Sequence, residues 1–434
     1  MKKIFKSAML FVAASTMAFS LSSCSDSNDD NGGNSNAGAP VMKAIVDNYV
    51  DNIVEPTYNN LATNAQTLYD ACQNLYAKRK AGSLTQADID AACEAFKAAR
   101  KYWEQSESFL YGAAEDNEID PHIDSWPLDH SQLVSLLNNK DMIAGINGEQ
   151  ADKFVYESRK NLESVMGFHG LEFILFRDGA NRTLAALTAE KETAEGLTSV
   201  NTVDECAFAA AISGDLRNMI SLLAYAWAGD AVSSSIKSVV DKAPWTVAAT
   251  KNAGFSPLNV CYSTYLKSAT TATGMFKTWQ ETVSNIISGG CSDIAQEVFT
   301  QKLGQAYRVA AGQGKGDDAI DYIESPYSKR SFQDYQDNIY SIKHSLYGTL
   351  DDNATAPVAN SLMAFLKNNN YPNYDALSAA LNDAIAALQA AKTSGKAFVD
   401  APGDAQVKNC IDKVEALNDA LGAAGSWILR QPAQ

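Results

Sequence analysis

The 434-residue sequence predicts an all-α protein: two packed helical bundles, each roughly four-helix, joined by long ordered connectors. Three observations carry that prediction. From residue 41 onward, apolar residues recur three and four positions apart, and strict alternation is rare. Proline is sparse, 11 in all, and gathers between the periodic segments. A hydrophobic share of 46% is enough for sizeable cores. The formal charge of −16 argues against a nucleic-acid partner, because neutralising phosphates requires a basic surface. Charged residues make up only 20% of the chain, which argues against a long exposed coiled coil.

The first element is an address. Residues 1–23 open with Lys2, Lys3 and Lys6 and continue as an apolar run from Ala8 to Phe19, short for a bilayer span. Leu21-Ser22-Ser23-Cys24 then looks like a bacterial lipobox, in which the Cys is acylated and becomes the mature N-terminus. Removing 1–23 takes away three lysines and no acid, so the mature chain is more acidic still. Acyl chains on Cys24 would anchor the protein to a membrane. Residues 24–40 are polar and Gly/Asn-rich and read as a flexible tether. Ser25 resembles an outer-membrane sorting signal, and Asp26, Asp29 and Asp30 look like the export tag of surface lipoproteins. The expected location is the outer membrane, periplasmic or surface-exposed.

Helices are predicted over 41–80, 85–111, 150–176, 204–229, 262–288, 292–311, 331–347, 355–367, 374–395 and 404–429. Ser83 and Thr85 supply a start signal, and Gly112, Gly289 and Gly348 supply stops. The connectors 112–131, 243–261 and 312–331 are long, and long ordered loops in helical proteins are often functional. The second marks the expected boundary between an N-terminal domain, 41–242, and a C-terminal domain, 255–434. Six cysteines remain besides Cys24. Cys72 and Cys93 flank the turn near Gly82-Ser83, where antiparallel helices either join them in a disulfide or bury each as a small residue. Cys261 and Cys291 bracket one predicted helix and are too far apart to pair. P-loop, GxSxG, HExxH and CxxCH patterns are absent, the last excluding covalent c-type haem.

Of the four histidines, His169 is the most informative. At about 100° per residue it falls among Leu162, Val165, Met166, Phe173 and Phe176 on the predicted inward face, with Glu172 three positions on. A His and a carboxylate facing a bundle core form either a metal pair or a core histidine satisfied by an acid. Gly167 and Gly170 each cost a helix roughly 1 kcal/mol, which suggests close approach of another backbone or a ligand. Glu104 and Glu107 repeat the three-residue spacing and are either a second ligand pair or a solvated acidic edge. His122, His130 and His344 have no strong context.

The run Gly167-Phe-His169-Gly-Leu-Glu172-Phe-Ile-Leu-Phe resembles the GxHxxE signature of the imelysin family, the insulin-cleaving-peptidase-like proteins. Arg100-Lys-Tyr-Trp103-Glu104 through Gly112 resembles the family's first motif helix, and Asp120-Pro121 through Asp124-Ser-Trp126-Pro127 the loop after it. Glu324-Ser325-Pro-Tyr327-Ser328, with Phe332, Asp334 and Asn338, resembles its C-terminal motif. The resemblance implies a two-domain all-helical protein with its site between the domains, linked to iron or haem acquisition. It implies metal binding at His169 and Glu172, with Glu104, Glu107 and Asp124 as further ligand candidates and Glu324, Tyr327 and Ser328 in the same cleft. His344 and Glu324 are also candidates for a third ligand. A carboxylate-rich site with one His suits iron; zinc and non-covalent haem are the other cofactors considered. The alternative is a zinc-dependent surface metallopeptidase, in which Glu172 is the candidate catalytic residue and the sequence identifies no separate general base. A third reading is an adaptor whose cleft binds a peptide or protein partner, with no metal; the expected partners are an iron-uptake component or a peptide.

Overall fold

A computed structural model describes residues 38–162, 164–192 and 196–431. The predicted signal peptide, Cys24 and most of the tether lie outside the described residues. Residues 38–40 are not tether but the first turn of the helix Gly38–Tyr49. That helix passes through a wide π-turn, Val50–Val54, into Glu55–Ala81. Gly82 ends it in the left-handed region, with its N–H bonded to the carbonyls of Arg79 and Lys78. Thr85 and Asp88 then form a reciprocal capping box at the start of Gln86–Glu104. This helix ends seven residues before the predicted limit, and a single 3₁₀ turn, Glu107–Phe109, follows.

The N-terminal half is organised around Thr202–Ala228, which packs against Glu55–Ala81 and against the shorter helices Ala151–Ser158 and Gly167–Leu175. In the C-terminal half Ser331–Tyr347, Tyr374–Thr393 and Ala405–Leu429 pack together. Ser331–Tyr347 also packs on Gln86–Glu104, and this contact joins the halves. The described residues form one compact unit. Among the described residues the sheet content is one antiparallel pair of two-residue strands, Phe176–Arg177 and Ala180–Asn181. The fold is all-α. Among the described residues, no helix is long and apolar enough to cross a membrane.

Three predicted helices differ from the structure for physical reasons. The segment 150–176 is broken: Ala151–Ser158 ends in a 3₁₀ turn, and a new helix starts at Gly167. Gly167 has φ +65°, and a Cβ there would lie 2.1 Å from the Ile123 carbonyl oxygen. A Cβ on Gly170 would lie 2.2 Å from the Val165 carbonyl oxygen. Both glycines therefore admit backbone. His169 sits in a first turn rather than mid-helix, and every residue from Gly167 to Leu175 is buried, so there is no single apolar stripe. The segment 262–288 is also broken: Tyr262–Lys267 stops, and a Thr278–Glu281 capping box starts Trp279–Ile286. The helix predicted from 355 begins at Leu362, capped by Ser361. Cys72, Cys93, Cys206, Cys261, Cys291 and Cys410 are all free thiols, so Cys72 and Cys93 take the small-buried-residue role.

The Gly167 crossing yields a stability test. Gly167→Ala forces both a positive φ and a clash with backbone and is expected to cost roughly 3 kcal/mol in urea unfolding. Gly82→Ala has a similar φ but open space around it, and its expected cost is only about 1 kcal/mol. Equal costs would show that the Ile123 contact is unimportant.

Candidate metal centre

The joint between the halves is lined with charge. Gln86–Glu104 contributes Arg100, Trp103 and Glu104, and the following 3₁₀ turn contributes Glu107. Asp124 caps the C-terminus of the short helix Ile119–Ile123. His169 comes from the Gly167–Leu175 helix. From the other half come Lys302, Glu324 in the 312–331 connector, and Asp334 and Asn338 on Ser331–Tyr347.

Arg100 is fully buried and sits at the hub. Its Nη2 is 2.5 Å from Glu104 Oε1 and 2.6 Å from Glu324 Oε1, and its Nη1 bonds Asp124 Oδ1. Its Nε is 3.7 Å from Asp334 Oδ2. The guanidinium also lies over the Phe168 ring, 5.1 Å from its centroid. Two groups of three side chains around this hub bring ligand atoms within 4.8 Å of one another: Asp124, His169 and Glu324, and Glu104, Glu107 and Asp124. Asp124 belongs to both. Trp103 Nε1 donates to its Oδ2 at 2.7 Å, which fixes the carboxylate. Asn338 Nδ2 donates to Glu104 Oε2 at 2.6 Å.

His169 Nε2 approaches Asp124 Oδ1 to 3.0 Å without the alignment of a hydrogen bond. Glu172 lies on the other side of the ring, its Oε2 3.8 Å from Nδ1. Its Oε1 accepts bonds from both the N–H and the Oγ of Ser328, each 2.7 Å. His169 thus meets Asp124 at Nε2 and Glu172 at Nδ1, on opposite edges of its ring. Glu172 orients the ring from behind, and Ser328 holds Glu172. Glu324, a cleft residue and a candidate third ligand by sequence, lies in the group with Asp124 and His169. Tyr327 faces away from this group: its ring meets Phe173 edge-on with centroids 4.9 Å apart, and its hydroxyl bonds His130 Nε2. His344 pairs with Asp352 at 2.9 Å and stands apart from the ligand groups. Arg100 and Lys302 are the functional residues that sequence reasoning missed. Arg100 is visible in the motif helix four residues before Glu104, a spacing common in surface ion pairs. For Lys302 no sequence signal exists.

Glu104, Glu107, Asp124, Glu172, Glu324 and Asp334 are all buried. Facing them are Arg100, Lys302, the His169 ring and, from the rim at 3.6 Å from Asp334, Arg330. Carboxylates outnumber cations even with His169 protonated. Burial pushes the Glu104 and Glu107 carboxyls well above the usual range against the pull of Arg100 and Lys302, and it raises Asp334 as well. Burial and the neighbouring Asp124 charge push half-buried Asp120 up to about 7. At Asp124 the burial effect is outweighed by Arg100 and His169, and its carboxyl is held well below the usual range. Burial alone would lower His169, but its contact with Asp124 prevails and raises it to about 9. Glu104 Oε1 and Glu324 Oε2 face the charges of Arg100 and Lys302 at 2.5 and 3.2 Å, while Glu172 Oε2 and His169 Nε2 are buried without an aligned hydrogen bond among the described residues. A buried excess of negative charge is costly unless protons or a cation offset it. The donors, mostly carboxylate oxygens with one imidazole nitrogen, are those a hard or borderline metal ion takes.

The family model for imelysin matches residues 54–422. Iron-regulated protein A of Synechococcus elongatus is 31% identical over 138 residues, which is 32% of this chain and 33% of that protein. The match therefore spans about a third of that relative's length. Among solved structures, one described as an iron-regulated protein A precursor from Parabacteroides distasonis superposes with a TM-score of 0.67 at 24% identity. That match covers 89% of this chain and 95% of the other. An imelysin-like protein from Psychrobacter arcticum superposes with a TM-score of 0.50 at 16% identity, covering 88% and 93%. At these identities the structures establish the shared fold.

The charge excess gives a pH dependence with a defined sign. Asp120 and His169 bind protons more tightly folded than unfolded, so the stability they contribute is complete below their unfolded values. It is lost as pH rises through about 7 for Asp120 and about 9 for His169. In chelator, the thermal midpoint is expected to fall between pH 6 and 9, and His169→Gln to flatten the upper part of that fall. A midpoint that rises across this window would contradict the assigned charge states.

Proposed function

This chain belongs to the imelysin family, and from that premise we propose that it is a cation-binding component of iron handling, holding a hard metal ion through Asp124, His169 and Glu324. The observation that carries the reading is the surplus of buried carboxylates around a shared point, where ligand atoms of Asp124, His169 and Glu324 lie within 4.8 Å of one another. When bound, a cation supplies the positive charge this cluster lacks. The chain's own residues hold the donors ready. Trp103 orients Asp124, and Glu172, fixed by Ser328, orients the His169 ring. Iron is favoured over a thiolate-seeking metal because the donors are oxygen-rich. The similarity to a protein named as iron-regulated supports the same choice.

The reading includes attachment to the outer membrane through acylated Cys24, on the periplasmic or the external side, and an iron-uptake partner. Ligand atoms within 4.8 Å of one another suit a bare ion better than a haem macrocycle. The zinc peptidase alternative requires an open coordination position reached by water and a peptide. Asp124, His169 and Glu324 are each less than a tenth exposed, which favours ion holding.

Metal analysis of purified protein, stripped with chelator and re-equilibrated with ferrous iron, tests the proposal. Asp124→Asn, His169→Ala and Glu324→Gln are expected to abolish stable binding. Glu172→Gln, which touches only the ring's far side, is expected to weaken it about 10–100-fold. Wild-type iron content in all four variants would exclude this site. Zinc-dependent peptide cleavage, lost in Glu172→Ala with the fold intact, would favour the peptidase instead.

A further inference from the structure

Lys302 is about 1% exposed, yet it lies among acids and not on a surface. Its Nζ is 3.2 Å and 3.4 Å from the two oxygens of Glu324, 3.8 Å from Glu107 Oε1 and 3.9 Å from Glu104 Oε2. A strong ammonium–carboxylate bond is about 2.7–2.9 Å long. Lys302 is not locked to one partner. It stands loosely between three.

The backbone is arranged to put it there. Ser292–Glu297 runs into a π-turn, Val298–Lys302, closed by the Leu303 N–H bonding the Val298 carbonyl at 2.9 Å. A π-turn inserts a residue and rotates the side chains after it, and such turns are frequent at functional positions. The Lys302 carbonyl is held by the Tyr335 hydroxyl at 3.2 Å, which ties this turn to Ser331–Tyr347.

Glu104 and Glu107 form, with Asp124, the second group whose ligand atoms lie within 4.8 Å of one another. Asp124 is shared with the group assigned above to a metal ion. Two cation positions bridged by one carboxylate, with acids from several helices, is the layout of a two-metal site in a helical bundle. In this chain a lysine ammonium stands beside the second position. Glu104 Oε1 and Glu324 Oε2, both fully buried, are answered by side-chain cations, Arg100 Nη2 at 2.5 Å and Lys302 Nζ at 3.2 Å.

We propose that Lys302 is a tethered cation that takes the place of a second metal ion, so that its ammonium restricts this site to a single bound ion. The inference rests on the metal-binding reading above and deepens it by assigning the ion number to one residue. A divalent ion draws carboxylate oxygens to about 2.0–2.3 Å, closer than the ammonium does. Removing the ammonium therefore opens a place that a free ion can fill.

The test counts Mn²⁺ bound per chain after equilibrium dialysis of the stripped protein against Mn²⁺ alone. Lys302→Ala is expected to bind one more ion than wild type, and Lys302→Arg, which keeps the charge, no more than wild type. Adding Glu107→Gln to Lys302→Ala is expected to remove the extra ion while leaving the first. If Lys302→Ala folds only when Mn²⁺ is present, that rescue is the expected behaviour, and the ions are counted on the rescued protein. Equal counts in Lys302→Ala and wild type overturn the proposal, as does a Lys302→Ala chain that stays unfolded in millimolar Mn²⁺. An extra ion that survives Glu107→Gln overturns it too. The result is a difference between variant and wild type, so a wild type that binds no Mn²⁺ sinks the function proposed above, while one ion in Lys302→Ala still supports this proposal and none overturns it.

Discussion

Arg100 is withdrawn from water and shared among Glu104, Asp124, Glu324 and Asp334, and the farthest of its hydrogen-bonded partners in sequence is 224 residues away. A guanidinium stripped of hydration is stable only if its partners are held in place, and each carboxylate near it is stable only if its own charge is answered. That requirement governs the packing of Gln86–Glu104 on Ser331–Tyr347 and the path of the 312–331 connector. It also explains why small polar side chains line the joint. Ser325 Oγ donates to Asp334 at 2.5 Å, Ser331 Oγ donates to the Glu324 carbonyl at 2.5 Å, and Asn338 donates to Glu104. Such networks are stable when every member is satisfied, and here several oxygens are not.

Much of the helical framework is legible in the sequence because it rests on local chemistry. The Ser331–Tyr347 helix has the predicted limits, since apolar spacing and Gly348 act within a few residues. The Thr85 capping box works the same way. The failures are tertiary. The break before Gly167 exists because that residue passes against Ile123, some forty positions upstream, and no periodicity encodes such a contact. At the site, the motif residues mark the right neighbourhood, but the division of labour inside it is not legible. Spacing places Glu172 beside His169 without revealing that Ser328 captures it from behind. Arg100 and Lys302 are ordinary surface residues by composition, and only the meeting of distant segments turns them into buried counter-ions.

The neighbouring aromatic residues have a supporting part. Phe168 lies against the Arg100 guanidinium, and Trp103 stacks on Phe168 with centroids 6.4 Å apart while donating to Asp124. These rings exclude water on one side of the charged cluster. Excluding water strengthens every ion pair inside and raises the cost of each unanswered charge. The same packing thus stabilises the hub and sharpens its demand for a counter-charge.

The latch between Ser328 and Glu172 joins positions 156 residues apart. Contacts of such long sequence separation form late, because the chain loses loop entropy before they reward it. The pocket behind His169 is therefore completed only when the C-terminal part has been made and has docked. An ion held beside His169 thus does not template the early stages of folding.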